Sequence, residues 1–225
     1  ERLVGSEMCI RDRDKFKRKT IRFFNDNEIA LFKEAAPKYK YGKALIFAMY
    51  TGLRAGELIG LKWKNVDWYK KRIFVASNVV TIYKYNEDAD DEEQPGKYTI
   101  LEQDSAKSRD RYVDLSKTAI SILTELKAQY YNGEDSFVIS PENKPLAVHN
   151  LFNNYLHICA RAGIENPQGL HTLRHTFASM LFRKKVDAKT VSELLGHSNV
   201  AFTLNTYIHL IEDQKSDAVN LIDDL

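Results

Sequence analysis

The sequence predicts a mixed α+β domain, mostly helical, with one small three-stranded antiparallel sheet. Three observations carry this. Most of the chain falls into capped segments whose apolar residues recur at helical spacing. Within residues 72–115 the pattern changes to runs rich in Val, Ile and aromatic residues, which favour strands. The 225 residues, 44% hydrophobic and 28% charged, suffice for one substantial core with at most a small appendage.

Residues 1–22 lack an apolar period and carry Lys15, Lys17, Arg18, Lys19 and Arg22, so they read as a basic arm or linker. The chain opens without an initiator Met and is expected to be a fragment or processed piece, and residues 1–13 read as either native or foreign to the protein. Asn25 and Asp26 can cap a helix that runs to Ala36, where Pro37 closes it. A second helix runs from about Tyr41 to Tyr50, with Leu45, Ile46, Ala48 and Met49 inward, and Gly52 is its left-handed stop. In TGLRAGELIGLKW a short helix begins near Leu53, with Arg54 in its first turn and Glu57 on the same face. Leu53, Leu58 and Leu61 anchor this corner.

RIFVASNVVTIY, from Arg72, reads as one strand. An acidic insertion spans 86–97. KYTILEQ and RDRYVDL read as two further strands joined by a turn at DSAKS, which puts Lys107 at the tip of a hairpin. Ser116 caps a helix from about Lys117 to Tyr131, with Ile120, Leu123 and Leu126 inward. FVIS is a short extended piece ended by Pro141, and AVHNLFNNYLHICARAG is an amphipathic helix ended by Gly163. Pro167 and Gly169 turn the chain into GLHTLRHTFASML, a helix beginning near Thr172. VSELLG is a further helix closed by Gly196, and Asn199 caps the next, which carries Tyr207. Residues 211–225, with Ile211, Val219, Ile222 and Leu225, read as an acidic tail helix.

Composition narrows the function. No apolar run is long enough to cross a bilayer and no secretory signal pattern opens the chain. Two cysteines, Cys9 and Cys159, suggest no disulfide framework, so a cytoplasmic location is expected. The net charge is +2, but residues 86–94 hold six carboxylates and no cation, so the remainder carries +8. A basic body with one acidic loop fits a nucleic-acid binder. Charge alone fits a solvated surface at least as well. Likewise His149, Asn153, Asn154, His157 and Arg161 face either DNA or solvent. There is no internal repeat and no Gly-rich phosphate cradle.

The stretch from His171 to Tyr207 holds the groups suited to a phosphate ester. Arg174 offers a planar fork of donors, histidines can move protons near neutral pH, and a tyrosine hydroxyl becomes a nucleophile once its proton is taken. His171 and Arg174, three apart, can point at one spot by a helix N-terminus, which favours anions. His197 sits just past a helix end. His171 and His175 are four apart, as zinc ligands can be, but Arg174 would repel the ion and no third ligand stands near. A core role is expected for His175, because the next turn is apolar. An exposed Arg54–Glu57 pair would be worth little, and a lysine in a turn is commonly only solvated.

TGLRAGEL, the lysine of AKSRDRYVDL, HTLRH, LLGH and NTYIH occur in one order. With that set the chain resembles the catalytic domain of the tyrosine recombinases, or phage integrase family, over about residues 23–210. Within it the chain looks most like integrases of phages and conjugative elements of Gram-positive bacteria. The resemblance implies that fold, and site-specific DNA cleavage and rejoining through a 3′-phosphotyrosine in the integration of a mobile element. Tyr207 would be the nucleophile, and Arg54 and Arg174 would clamp the phosphate oxygens. His197 would donate a hydrogen bond there. Lys107 would protonate the leaving 5′-oxygen, and His171 would help accept the tyrosine proton. Glu57 would orient Arg54. No metal and no cofactor are implied.

The implied partners are double-stranded DNA, a homotetramer on it with exchange of the 211–225 tail, and an accessory excisionase or host DNA-bending protein. The tail packs either on a neighbouring protomer or on its own domain. Such integrases normally carry a further N-terminal helical domain, which puts site recognition by this chain alone in question. The competing readings are a type IB topoisomerase-like enzyme and a catalytically silent DNA-binding regulator. A metal-dependent nuclease would need a carboxylate cluster that the sequence does not offer.

Overall fold

The computed structural model describes residues 21–83, 98–104, 110–140 and 144–208. Residues 1–20 of the basic arm, the acidic insertion, Lys107 and the tail lie outside them.

α1 (Asp26–Ala35) starts as expected: the Asn25 carboxamide accepts from Glu28 N–H, and the Glu28 carboxylate accepts from Asn25 N–H, both at 2.9 Å. Pro37 falls in a 3₁₀ turn, Ala36–Lys38. α2 (Gly42–Thr51) is the centre of the fold, buried on nearly every side against α4, α5 and α6. It ends at Gly52, whose φ of 66° is the left-handed region where a Cβ is disfavoured. α3 (Ala55–Gly60) follows, with Arg54 as the residue capping it and not within its first turn.

The strands depart from expectation. RIFVASNVVTIY is two strands, β2 (Arg72–Val75) and β3 (Ser77–Tyr83), in different sheets. The three-stranded antiparallel sheet is β1 (Val66–Asp67), β2 and β5 (Arg111–Asp114), in the order β1-β2-β5. β3 pairs instead with β4 (Tyr98–Asp104) in a separate two-stranded ribbon. β4 and β5 are therefore not paired with each other among the described residues, contrary to the expected second hairpin. Lys107, expected at the tip of that hairpin, lies outside the described residues; the strand residues on either side of the gap, Asp104 and Arg111, stand opposite Ser77 and Val75. The ribbon lies directly on α3. A Cβ at Gly56 would sit 2.1 Å from the Asn78 side chain and 2.6 Å from the Val79 carbonyl, and Ser77 Oγ donates to Gly60 O at 2.8 Å.

α4 (Lys117–Tyr130) is capped by Ser116 and buries Leu123 and Leu126, with Ala119 and Ile122 inward where Ile120 was expected; Ile120 is half-buried. α5 (Val148–Arg161) buries Leu151, Tyr155, Ile158 and Cys159, and leaves Asn153, His157 and Arg161 exposed. α6 (His171–Arg183) and α7 (Ala188–Leu195) come next. A last helix, α8, begins at residue 200 and is described through 208; the Asn199 side chain accepts from Ala201 N–H at 2.8 Å. The main core runs from Phe24 to Leu173. Ala178, Phe182, Val191, Leu195 and Tyr207 form a second, small cluster between α6, α7 and α8. Among the described residues no helix is long and apolar enough to cross a membrane.

Candidate active site

Arg174 is 3% exposed, on the first turn of α6. Its guanidinium donates to the carbonyls of Gly52 (2.6 Å) and Leu195 (2.5 Å), the C-terminal ends of α2 and α7. Helix C-termini expose carbonyls with no partner inside the helix and carry partial negative charge, so a buried cation there is doubly satisfied. Burial, then the nearby charge of Arg54, lowers the Arg174 pKa to about 9, which leaves it cationic at neutral pH. The cation is thus held rigidly before any ligand arrives.

Arg54 is fixed through Glu57. The Glu57 carboxylate, 2% exposed, accepts from Arg54 Nη1 (2.7 Å) and from the Arg54 backbone N–H (2.9 Å). Arg111 supplies a second fork, Nη1 to Oε1 at 3.0 Å and Nη2 to Oε2 at 2.9 Å. Burial pushes the Glu57 carboxyl up, but the Arg111 hydrogen bonds and charge, with those of Arg54, outweigh it and hold the pKa at about 2. The bland reading, a solvated surface pair, is excluded by this burial. Arg54 itself stays about a third exposed.

Gly196, at φ 66°, ends α7 and places His197 beyond it. His197 Nδ1 meets Thr203 Oγ1 at 2.7 Å, and the ring lines an open cleft of about 610 Å³ together with Arg54, Arg111 and Tyr112. Burial, then the cations Arg174, Arg54 and Arg111, lowers the His197 pKa to about 4. His171, at the exposed start of α6, is lowered too, by loss of hydration and then by Arg174 and Arg54. An arriving anion would reverse those repulsions. Arg54, His171, Arg174 and His197 therefore share one electrostatic neighbourhood.

Tyr207 is 1% exposed. Its ring packs on Phe182, with centroids 5.4 Å apart, and its hydroxyl lies 2.7 Å from His175 Nδ1. Burial pushes the phenol pKa well up, opposed by Arg174. The His175 pKa falls to about 4 through burial, then through His171 and Arg174. With both groups neutral, the phenol can donate to Nδ1. This corrects the expectation of a plain core role for His175. Its ring centroid is 6.5 Å from that of His171, and its Nδ1 is on the tyrosine hydroxyl. Among the described residues no group of three or more His, Cys, Asp or Glu side chains could hold a metal ion.

The structure thus brings together five of the six expected catalytic residues and Glu57; the sixth, Lys107, lies outside the described residues. Sequence reasoning missed Arg111, His175 and Thr203. Strand alternation could have found Arg111, which shares a face with the fully buried Val113. Nothing local marks the other two.

Residues 21–214 match the model of the Phage integrase family. The chain is 38% identical over 221 residues to a XerC-like tyrosine recombinase of Caldanaerobacter subterraneus subsp. tengcongensis, covering 91% of this chain and 54% of that protein. In fold it is similar to XerA recombinase, with a TM-score of 0.68 at 21% identity over 89% of this chain and 66% of that one. It is also similar to the Tn1549 transposon integrase in complex with transposon right end DNA, with a TM-score of 0.64 at 18% identity over 86% of this chain and 63% of that one. The chain spans about half the length of the curated relatives it matches.

Proposed function

The chain belongs to the phage integrase family, and from that premise we propose that it is the catalytic part of a site-specific recombinase. It cuts and rejoins duplex DNA through Tyr207 in the movement of a mobile element. The observation that carries this is the convergence of Arg54, His171, Arg174 and His197 on one neighbourhood with Tyr207 buried directly behind it.

In this reading a DNA phosphate enters beside Arg54 and Arg174, and both guanidiniums bond its non-bridging oxygens. They are already fixed, Arg174 by two helix-end carbonyls and Arg54 by Glu57, so little reorganisation accompanies the growth of negative charge at phosphorus. His197 adds a donor from its cleft-facing nitrogen, because Thr203 occupies the other. Tyr207 Oη attacks phosphorus and a Tyr207–phosphorus bond forms. The bond to the 5′-oxygen breaks, and that oxygen takes a proton from Lys107. The tyrosine proton passes to His171. In the state described the phenol is on His175, so α8 shifts before attack. The phosphotyrosine conserves the bond energy, and attack by a 5′-hydroxyl reverses the step. The reaction runs in the cytoplasm on double-stranded DNA, within a homotetramer that exchanges tails and recruits an excisionase or a host DNA-bending protein.

The test is a nicked suicide duplex carrying the attachment site, incubated with EDTA. A covalent protein–DNA adduct is expected from the wild type and none from Tyr207→Phe. An undiminished adduct in that variant, or none from the wild type, would overturn the reading. Relaxation of supercoils without partner exchange would favour the topoisomerase-like alternative, and loss of cleavage in EDTA a nuclease.

A further inference from the structure

We propose that Arg111 is a positioning residue for strand cleavage, acting through Glu57 on Arg54 and through the end of α7 on Arg174 and His197. The proposal rests on the recombinase reading above and extends it to a residue outside the phosphate clamp.

The geometry is specific. Arg111 is the first residue of β5, one alternation from buried Val113, and its side chain is 8% exposed. Its two Nη groups each donate to a different oxygen of Glu57, so the carboxylate takes four hydrogen bonds, two from Arg111 and two from Arg54. An ionised carboxylate offers about four lone-pair sites, and all are filled. This matters for Arg54. A carboxylate held by one arginine alone is free to rotate and take that arginine's whole fork, which would neutralise the group meant for phosphate. With Arg111 in place, the Arg54 side chain spends one Nη on Glu57.

The same guanidinium reaches the other half of the site. Arg111 Nε donates to Leu194 O at 3.4 Å, beside the Leu195 carbonyl that holds Arg174. It also packs against Gly196, where an added Cβ would come within 2.7–2.9 Å of the Arg111 side chain. Gly196 sets the direction in which His197 leaves α7. One side chain therefore ties β5 to α3, which follows Arg54, and to the α7 terminus, which presents His197 and the Leu195 carbonyl that holds Arg174. Lysine could supply the charge but not the two-point grip on Glu57 together with the reach to Leu194.

The experiment compares wild type, Arg111→Lys, Arg111→Met, Glu57→Gln and the Arg111→Met/Glu57→Gln double variant on the nicked duplex. It measures single-turnover cleavage across pH and DNA affinity separately, and follows the Glu57 carboxylate by ¹³C NMR in the free protein. Arg111→Met is expected to slow cleavage about 10²-fold, the scale of a small misplacement at a reacting centre, with affinity little changed. Its rate should gain an acid limb that the wild type lacks, as Glu57 titrates closer to neutral pH. Arg111→Lys, which keeps the charge and is the safer variant for folding, should lose about tenfold and shift the carboxylate resonance in the same direction. In the Glu57→Gln background the further loss from Arg111→Met should be smaller than in the wild type, what is left being the part carried through the α7 end. A wild-type rate in Arg111→Lys, an unmoved Glu57 titration in Arg111→Met, or fully additive losses would overturn the proposal. A wild type that forms no Tyr207 adduct overturns the recombinase reading instead.

Discussion

Arg174 and Tyr207 are both almost fully buried, but different forces bury them. Arg174 belongs to a polar frame: two helix-end carbonyls, a charged carboxylate nearby and two further arginines, mounted on α2, α3 and α6 against the main core. Tyr207 lies in a cluster of five buried residues between α6, α7 and α8, with its polar atom on one neutral imidazole. The frame is over-determined, since removing one bond leaves several. Among the described residues the tyrosine is held by modest apolar burial and a single side-chain hydrogen bond, and such a bond nets about 0.5–1.5 kcal/mol. A site built this way has a fixed phosphate end and a detachable nucleophile end. Neighbouring sites in one protein are thus prepared to different degrees.

The largest expected effect tests the fixed end. Arg174→Lys should lower single-turnover cleavage by roughly 10²–10³-fold, the scale of losing one preorganised donor to a transition-state anion. It should also lower unfolding stability by about 1–3 kcal/mol, because an ammonium cannot satisfy both carbonyls and one is left buried without its donor. Urea unfolding and cleavage kinetics check the two parts. A cleavage rate near wild type would break the comparison, by showing that the frame does not act at the phosphate.

The carboxylate and the imidazoles of the site should also separate by pH. Glu57 is depressed from 4.5 to about 2 in the folded protein. Its contribution is fully present above the unfolded value and is lost as pH falls from about 4.5 to about 2. The shift corresponds to roughly 3 kcal/mol. His175 and His197 are lowered from 6.5 to about 4, so the unfolded chain binds protons that the folded one refuses. Stability should therefore fall already as pH drops from about 6.5 towards 4. Unfolding measured across pH should show both windows. Glu57→Gln should shrink the lower one, to which Glu28 beside Arg22 also contributes, and leave the upper, and His175→Ala should reduce the upper and leave the lower. One merged transition insensitive to which residue is changed would mean that Glu57 and the imidazoles are not separate contributors.

His175→Ala should otherwise be mild, costing about 1 kcal/mol for the phenol's lost partner. Its effect should be local: faster amide hydrogen exchange over residues 200–208, with α2 and α3 unchanged. Equal acceleration in α2 would show that the tyrosine cluster is part of the main core after all.

Much of this was legible in the sequence, and the remainder fails for physical reasons. Helices and their ends were readable because Asn25, Ser116, Gly52 and Gly196 act on backbone groups within a few residues. The split at Ala76 was not, since one residue changes sheet partner through long-range pairing and no local preference encodes it. Arg54, His171, Arg174, His197 and Tyr207 were found as a set with an order. Arg111, His175 and Thr203 were not, because each acts by touching a residue distant in the chain: Arg111 on Glu57, His175 on Tyr207. Thr203, only six residues from His197, acts across a helix end whose geometry the sequence leaves open.

The smallest predicted effect bears most on how the two ends communicate. Thr203 and Tyr207 are four apart on α8, on one face of the helix, and each meets an imidazole: Thr203 that of His197 on the phosphate side, Tyr207 that of His175. Thr203 is fully buried, so Thr203→Val keeps shape while removing the hydroxyl. His197 then keeps its place beyond Gly196 but loses the bond that fixes its ring and selects its cleft-facing nitrogen. A loss of about 1 kcal/mol in that orientation corresponds to a cleavage rate five- to tenfold lower, with little change in DNA affinity. The sharper readout is the combination with His175→Ala. If the two imidazoles hold α8 independently, their effects on exchange at 200–208 add. If α8 is released as one unit, the second substitution adds little to the first. Because Thr203 reaches the phosphate side and Tyr207 is the nucleophile, only the second outcome lets an occupied phosphate site loosen the tyrosine through the same short helix.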